Sequence, residues 1–370
     1  MRRPILLPIL LMLAPGFCCK TSPRKDDAGE QKYAWALVSF EKADKVNPIL
    51  VPDSTGVFFC PIRREKIRWE EKDVFNPAAL VRDDTVFLLL RAQDKVGKPA
   101  GTSRIGLAWS TDGLHFNTWH APVLYPDNDA EKIYEWEGGC EDPRIIEDSS
   151  GTYYLTYTGY DGNKARLMVA TSRDLRHWTK QGLAFANAHN GKYKNEWSKS
   201  GSIICGYKGG KAVATRINGH YWMYWGDTDI FLAVSDDLIH WTPVEDTSGN
   251  LKSIIRPRIG KFDSDIVESG PPAMLTDSGV VLIYNSRNLA AKGDSSLPAG
   301  TYTAAQILMD KNDPSRMVQR MDNYFLKPDK PYEITGQVNN VCFVEGLVNF
   351  KGKWFLYYGT ADSRVAAAVK

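Results

Sequence analysis

The sequence is short of the residues that build metal centres and helical cores. Of its 370 residues, only six are cysteine and six histidine. Cys18 and Cys19 stand together near the start. The other four, Cys60, Cys140, Cys205 and Cys342, form no C-x-x-C pair and no Cys/His ligand spacing, which removes the sequence case for zinc; no metal ligands are assigned. These four thiols either pair in an oxidising compartment or stay buried and free. No stretch carries apolar residues at a sustained helical spacing, so helices are expected to be few. Charge of one sign is also missing. Lys and Arg total 46 against 44 Asp and Glu, a net charge of +2, which exerts no general pull on nucleic acid.

Aromatic residues are plentiful, 11% of the chain with 11 Trp and 17 Tyr, a composition common in carbohydrate-binding β proteins. The N-terminus has the layout of an export signal: Arg2-Arg3, an apolar run over 5–13 that is too short to span a bilayer, and then Cys18-Cys19. Residues 1–19 are expected to be a lipoprotein-type signal, lipidated at Cys18 or Cys19. That implies a periplasmic or outer-membrane-anchored bacterial protein, touching membrane only through the anchor. The charged stretch 20–47 reads as a tether, with a short strand near 35–38.

From residue 48 onward the chain repeats itself. The segments 106–116, 168–178 and 231–241 each read as an apolar strand, a Ser-x-Asp turn and a closing aromatic. Their serines, Ser110, Ser172 and Ser235, recur at intervals of roughly sixty residues. Repetition marks these serines as turn formers, not nucleophiles. A strongly β run precedes each unit (86–91, 153–158, 221–225), and two more follow at 280–284 and 354–358. Five such units predict an all-β, five-bladed β-propeller over 48–370. Residues 57–59 or 365–369 are the expected closing strand.

The chemistry concentrates at Glu141-Asp142-Pro143-Arg144, preceded by Gly138-Gly139. The glycines permit unusual dihedrals, and Pro143 is expected to push Asp142 towards an extended conformation. Further motifs follow the same order along the chain: Phe75-Asn76-Pro77, Leu90-Arg91-Ala92, Ser103-Arg104-Ile105-Gly106, Glu268-Ser269-Gly270-Pro271-Pro272 and 357–362, ending at Asp362. Together these resemble glycoside hydrolase family 130, the β-mannoside phosphorylases and β-mannosidases.

The resemblance implies an active site on the propeller axis and single-displacement cleavage with inversion. Asp142 is the implied general acid, its proton passing through a sugar hydroxyl. Burial is expected to raise its pKa. Hydrolysis needs a second carboxylate as base, and Glu196, Asp227 and Glu268 are the candidates. Asn76, Asp94 and Asp362 resemble positions that hold the terminal sugar. Arg91, Ser103, Arg104, Arg144 and Lys199 are further substrate-binding candidates, with Arg104 and Lys199 expected to converge if phosphate is the nucleophile.

The leading reading is an exo-acting, inverting β-mannosidase working by hydrolysis on β-mannoside oligosaccharides, with β-1,2 linkages favoured. A β-mannoside phosphorylase releasing mannose 1-phosphate is the alternative, and a non-catalytic glycan-binding propeller is the third reading. No cofactor is expected; inorganic phosphate is a co-substrate only for the phosphorylase. The acidic Gly226-Asp227-Thr228-Asp229 segment favours water over phosphate. Oligomeric state is not legible in the chain.

Overall fold

The computed structural model describes residues 32–98 and 100–370. The stretch read as an export signal, 1–19, and the stretch read as a tether up to residue 31 lie outside the described residues. By contact the chain divides at Ala34/Trp35, and the unit from Trp35 onward is a five-bladed β-propeller.

Blade 1 comprises Asp73–Arg82, Thr85–Gln93, Ser103–Ser110 and Asn117–Thr118, paired antiparallel in that order. Blade 2 repeats the meander with Gly139–Glu147, Tyr153–Tyr160, Ala165–Ser172 and Thr179–Leu183. In blade 3, Ser202–Lys208 pairs with Tyr221–Trp225, followed by Phe231–Ser235 and Thr242–Pro243. Blade 4 has a broken inner strand, Ile266–Ser269 and Ala273–Thr276, then Gly279–Arg287, Tyr302–Met309 and Met317–Arg320. Blade 5 is Cys342–Phe350, Lys353–Thr360 and Arg364–Val369.

The ring closes differently from the expectation. The fourth strand of blade 5 is Glu41–Lys42, paired with Ala368 and Val369. It lies inside the stretch read as tether, because a charged two-residue edge strand leaves no apolar pattern to detect. Residues 57–59 instead join Val57–Cys60, which forms a separate hairpin with Glu65–Arg68, and residues 365–369 are an interior strand of blade 5. Residues 35–38 form no strand; Leu37 instead hydrogen-bonds Gln306 and packs against the last two blades.

The repeated turns have one chemistry. In each, the serine Oγ accepts backbone N–H groups, from Gly113, Leu175 and Leu238 at 2.9 Å. The aspartate two residues on caps the next turn: Asp112, Asp174 and Asp237 each accept two backbone N–H groups and contact the histidine ring three residues later. These serines are held by the fold and carry no reaction.

Apolar residues fill the gaps between blades. One cluster joins blades 5 and 1 through Val86, Leu88, Val348 and Phe355. Another joins blades 1 and 2 through Leu89, Leu107, Ile145 and Leu155. Cys60, Cys140, Cys205 and Cys342 are all buried and free. Leu155 has no exposed surface, so Leu155→Ala is expected to lower unfolding free energy by about 2–5 kcal/mol, from lost burial and the cavity left behind. A shift of the urea midpoint measures it, and a loss below about 1 kcal/mol would mean the blade interface repacks freely.

Candidate active site

Four blades deliver a polar side chain from the inner strand, Asn76, Asp142, Glu268 and Glu345, and blade 3 adds Ser200 from the segment just before its inner strand. Bulges produce this in three of them. The antiparallel register shifts between Phe75 and Ala78, between Glu141 and Arg144, and between Val344 and Gly346. A bulge turns a side chain out of the normal strand alternation. Asn76 and Asp142 both take left-handed backbone, with φ of 47° and 45°, so the extended conformation expected for Asp142 is not observed. Gly139 has φ of 117°, and a Cβ there would stand 2.1 Å from the Ser103 carbonyl oxygen. Only glycine lets blade 2 approach blade 1 this closely.

Asp142 is 3% exposed. Its Oδ1 accepts hydrogen bonds from Asn76 Nδ2 at 3.0 Å and Arg91 Nη1 at 3.0 Å. Its Oδ2 faces Lys199 Nζ at 3.6 Å. Arg91 also donates Nη2 to Glu141 at 2.6 Å and Nε to Ser103 Oγ at 3.0 Å. The carboxylate is therefore fixed by one oxygen and presents the other beside a lysine.

Arg144 lies beneath, fully buried. It donates to the Asp142, Ser269 and Gly270 carbonyls and pairs with Glu345 at 3.1 Å. It ties blades 2, 4 and 5 together and positions the ring; its other side chain partner is buried like itself. Ser200 donates a short hydrogen bond to Glu268 Oε1.

The electrostatics correct one expectation. Burial alone would raise the pKa of Asp142, but Arg91, Lys199 and Arg144 outweigh it and hold the carboxyl below its ordinary value. Neighbouring Glu141 goes the other way: burial raises it, against Arg91. Burial likewise raises Glu268 to about 7, opposed by Lys199 and assisted by Asp227, and Asp362 to about 6, opposed by Arg91. Glu345 is pushed well above the usual range. Lys199 stays charged, because Glu268, Asp142 and Asp227 outweigh its own desolvation. Three cations thus sit among five carboxyl groups, and several of those groups hold protons near neutrality.

The structure brings together Asn76, Arg91, Ser103, Asp142, Arg144, Lys199, Glu268 and Asp362. Asp227 lies at the rim, bonded to the half-exposed Trp197 indole at 2.8 Å, and its charge acts on Lys199 and Glu268. Three candidates do not join. Asp94 is buried and accepts the backbone N–H groups of Val96, Gly97 and Thr102, together with Arg104 Nη1 at 2.7 Å. Arg104 is spent on that pair and on the Thr102 carbonyl, so it does not converge with Lys199. Both residues build a loop. Glu196 is solvent-exposed on the segment before Ser198, where nothing desolvates it.

Glu345, Ser200 and Tyr302 escaped the sequence reading. Tyr302, raised to about 12, feels the charges of Glu268, Asp362 and Lys199. Glu345 carried a usable signal: it is the one charged residue of the apolar strand Cys342–Phe350, where the register shifts as it does between Glu141 and Arg144.

An acid fixed by one oxygen, a second buried carboxylate and a lysine between them can perform acid/base cleavage at a bond laid across the axis. Comparison with known proteins agrees with that chemistry. Residues 57–370 match a family model described as beta-1,4-mannooligosaccharide phosphorylase, Glyco_hydro_130. The 1,2-beta-oligomannan phosphorylase of Thermoanaerobacter sp. (strain X514) is 31% identical, over 81% of this chain and 90% of its own. A glycosyl hydrolase structure from Bacteroides ovatus superposes with a TM-score of 0.89 at 48% identity, covering 91% of this chain and 94% of that one. A further structure, 47% identical with a TM-score of 0.89 over 90% and 94% of the two chains, is described by the statement that the GH130 family of mannoside phosphorylases contains glycoside hydrolases that target beta-1,2 mannosidic linkages in Candida mannan.

Proposed function

The chain belongs to glycoside hydrolase family 130, and from that premise we propose that it is an exo-acting, inverting β-mannosidase that hydrolyses β-1,2-linked mannosides. The observation that carries this reading is the Asp142–Lys199–Glu268 arrangement, in which the site's cations are engaged by carboxylates. Arg91 is held by Glu141 and Asp142, Arg144 by Glu345, and Lys199 by Asp142 and Glu268. A phosphate dianion entering this ring would have to displace a carboxyl group from each cation it used. Water needs only a base, and Glu268 supplies one. The 47%-identical structure described with β-1,2-mannoside hydrolases supports the same choice.

The pair carries one proton. In the free site it resides on Glu268, because the cations keep Asp142 ionised. The reactive form has it on Asp142, which passes it towards the glycosidic oxygen through a mannosyl hydroxyl, while ionised Glu268 takes a proton from the attacking water. Lys199, beside both, allows the exchange with no change in net charge.

The pH dependence follows with a definite sign. Above about 7 the pair loses its proton as Glu268 ionises. Therefore kcat/KM is expected to be level between about pH 5 and 6 and to fall roughly tenfold per unit well above 7. Glu268→Gln should shift that limb to lower pH, because the remaining acid, Asp142, has a depressed pKa. A profile that instead rises through pH 7 would contradict the assignment.

Phosphorolysis is the second reading, favoured by the names of curated relatives such as the 31%-identical oligomannan phosphorylase. Incubating β-1,2-mannobiose with and without millimolar phosphate separates the two. Hydrolysis gives free mannose at a phosphate-independent rate, whereas mannose 1-phosphate as the main product, with negligible mannose in its absence, would replace it. Export with a lipid anchor at Cys18 or Cys19 is part of the proposal, and mass spectrometry of the mature N-terminus checks it.

A further inference from the structure

We propose that Asp53, Glu70 and His120 form a binding site for a divalent transition cation, zinc, on the outer edge of blade 1, away from the axial site. Three separate segments meet there: the 52–55 turn, the end of the hairpin after Glu65–Arg68, and the loop after the outer strand Asn117–Thr118. Backbone bonds fix the meeting. The Asp53 N–H donates to the Glu70 carbonyl at 3.0 Å, and the Trp69 indole donates to the His120 carbonyl at 3.3 Å.

One potential ligand atom from each side chain lies within 4.8 Å of the others. Donors at about 2.0–2.2 Å from a tetrahedral zinc ion stand about 3.3–3.6 Å apart. Side-chain rotation that draws the ligand atoms together by up to about 1.5 Å would close all three on one ion.

Glu70 is the observation that calls for a ligand. It is 4% exposed, and its buried Oε1 has no hydrogen-bond partner. Neither Glu70 nor Asp53 takes part in an ion pair with Lys or Arg among the described residues. A buried carboxylate beside a second carboxylate needs a positive charge or a proton. The space next to Oε1 is kept by Gly56, where a Cβ would stand 2.3 Å from that oxygen.

Asp53 is already oriented. Its two oxygens accept the Thr55 N–H at 2.7 Å and the Thr55 hydroxyl at 2.8 Å, leaving further lone pairs to point at a cation. His120 is exposed, so the ion enters from solvent and water can complete its shell. The imidazole sets the class: a nitrogen donor suits zinc better than calcium, magnesium or manganese, which favour oxygen. Ligands at 53, 70 and 120 have no local spacing signature, which is why the sequence pattern concealed them. Bound there, the ion would clasp the 49–70 segment to blade 1.

The test uses the full chain stripped with EDTA, then titrated with Zn²⁺ alone, reading bound metal after dialysis together with Tm. One equivalent per chain and a rise in Tm are expected, with affinity at least about tenfold weaker in His120→Ala and Glu70→Gln. His120 is exposed, so its variant keeps the fold and isolates the ligand. Zinc retention unchanged in His120→Ala would overturn the site. So would a wild-type chain whose Tm does not respond to zinc, which would leave a shared proton as the partner of Glu70.

Discussion

Asp142→Asn is expected to lower kcat on an unactivated β-mannobiose by about 10²–10⁴-fold while the protein stays folded. The amide is nearly isosteric and can keep the contact with Arg91 through its oxygen, but it has no proton to transfer. The drop should be much smaller on an aryl mannoside whose leaving group departs without protonation. KM should move less than kcat, because Asn76 and Arg91 still shape that corner of the pocket. Activity within a few-fold of wild type on the unactivated disaccharide would remove Asp142 from the chemistry.

Glu268→Gln should be comparably damaging, about 10²–10⁴-fold, for the opposite reason: the acid remains and the base is gone. Azide, an anion small enough to replace the activated water and needing no base, should restore turnover and yield the α-mannosyl azide. Rescue by azide in Glu268→Gln but not in Asp142→Asn would distinguish the two roles. Equal rescue in both, or a Glu268→Gln enzyme with near-normal rate, would place the base elsewhere. Asp227 would then be next, as the rim carboxylate whose charge reaches Lys199.

Much of the architecture was legible because blade turns have strict chemistry. Ser-x-Asp repeats wherever a serine hydroxyl must accept the N–H groups of a tight turn, and three blades show it in the sequence. Blade 4 hid its turn by using Asp310, which accepts the N–H groups of Asn312 and Asp313 without a preceding serine. Blade 5 has no such turn, because its fourth strand arrives from the opposite end of the chain. Glu41–Lys42 is recognisable only once Ala368 and Val369 lie beside it.

The site divided along similar lines. Asp142 and Glu268, both of which the fold buries beside the other site candidates, are legible because glycine and proline neighbours mark rigid corners. Asp94 and Arg104 pair with each other away from that cluster; a buried loop-holding ion pair uses the same residue types as a sugar-binding one, and only their partners tell them apart. The pKa of Asp142 was misjudged in direction because burial was considered alone. The cations that reverse it come from three distant segments, at 91, 144 and 199, and no local window contains them. Ser200 and Glu345 were not legible because Ser200 precedes its strand and Glu345 is the one charged residue of Cys342–Phe350.

The most direct test of the account is the anomer formed first. With β-1,2-mannobiose in phosphate-free buffer, proton NMR within the first minutes should show free α-mannose released from the non-reducing end, ahead of mutarotation, as inversion by water from Glu268 requires. First-formed β-mannose, or no free mannose until phosphate is added and α-mannose 1-phosphate appears, would contradict it.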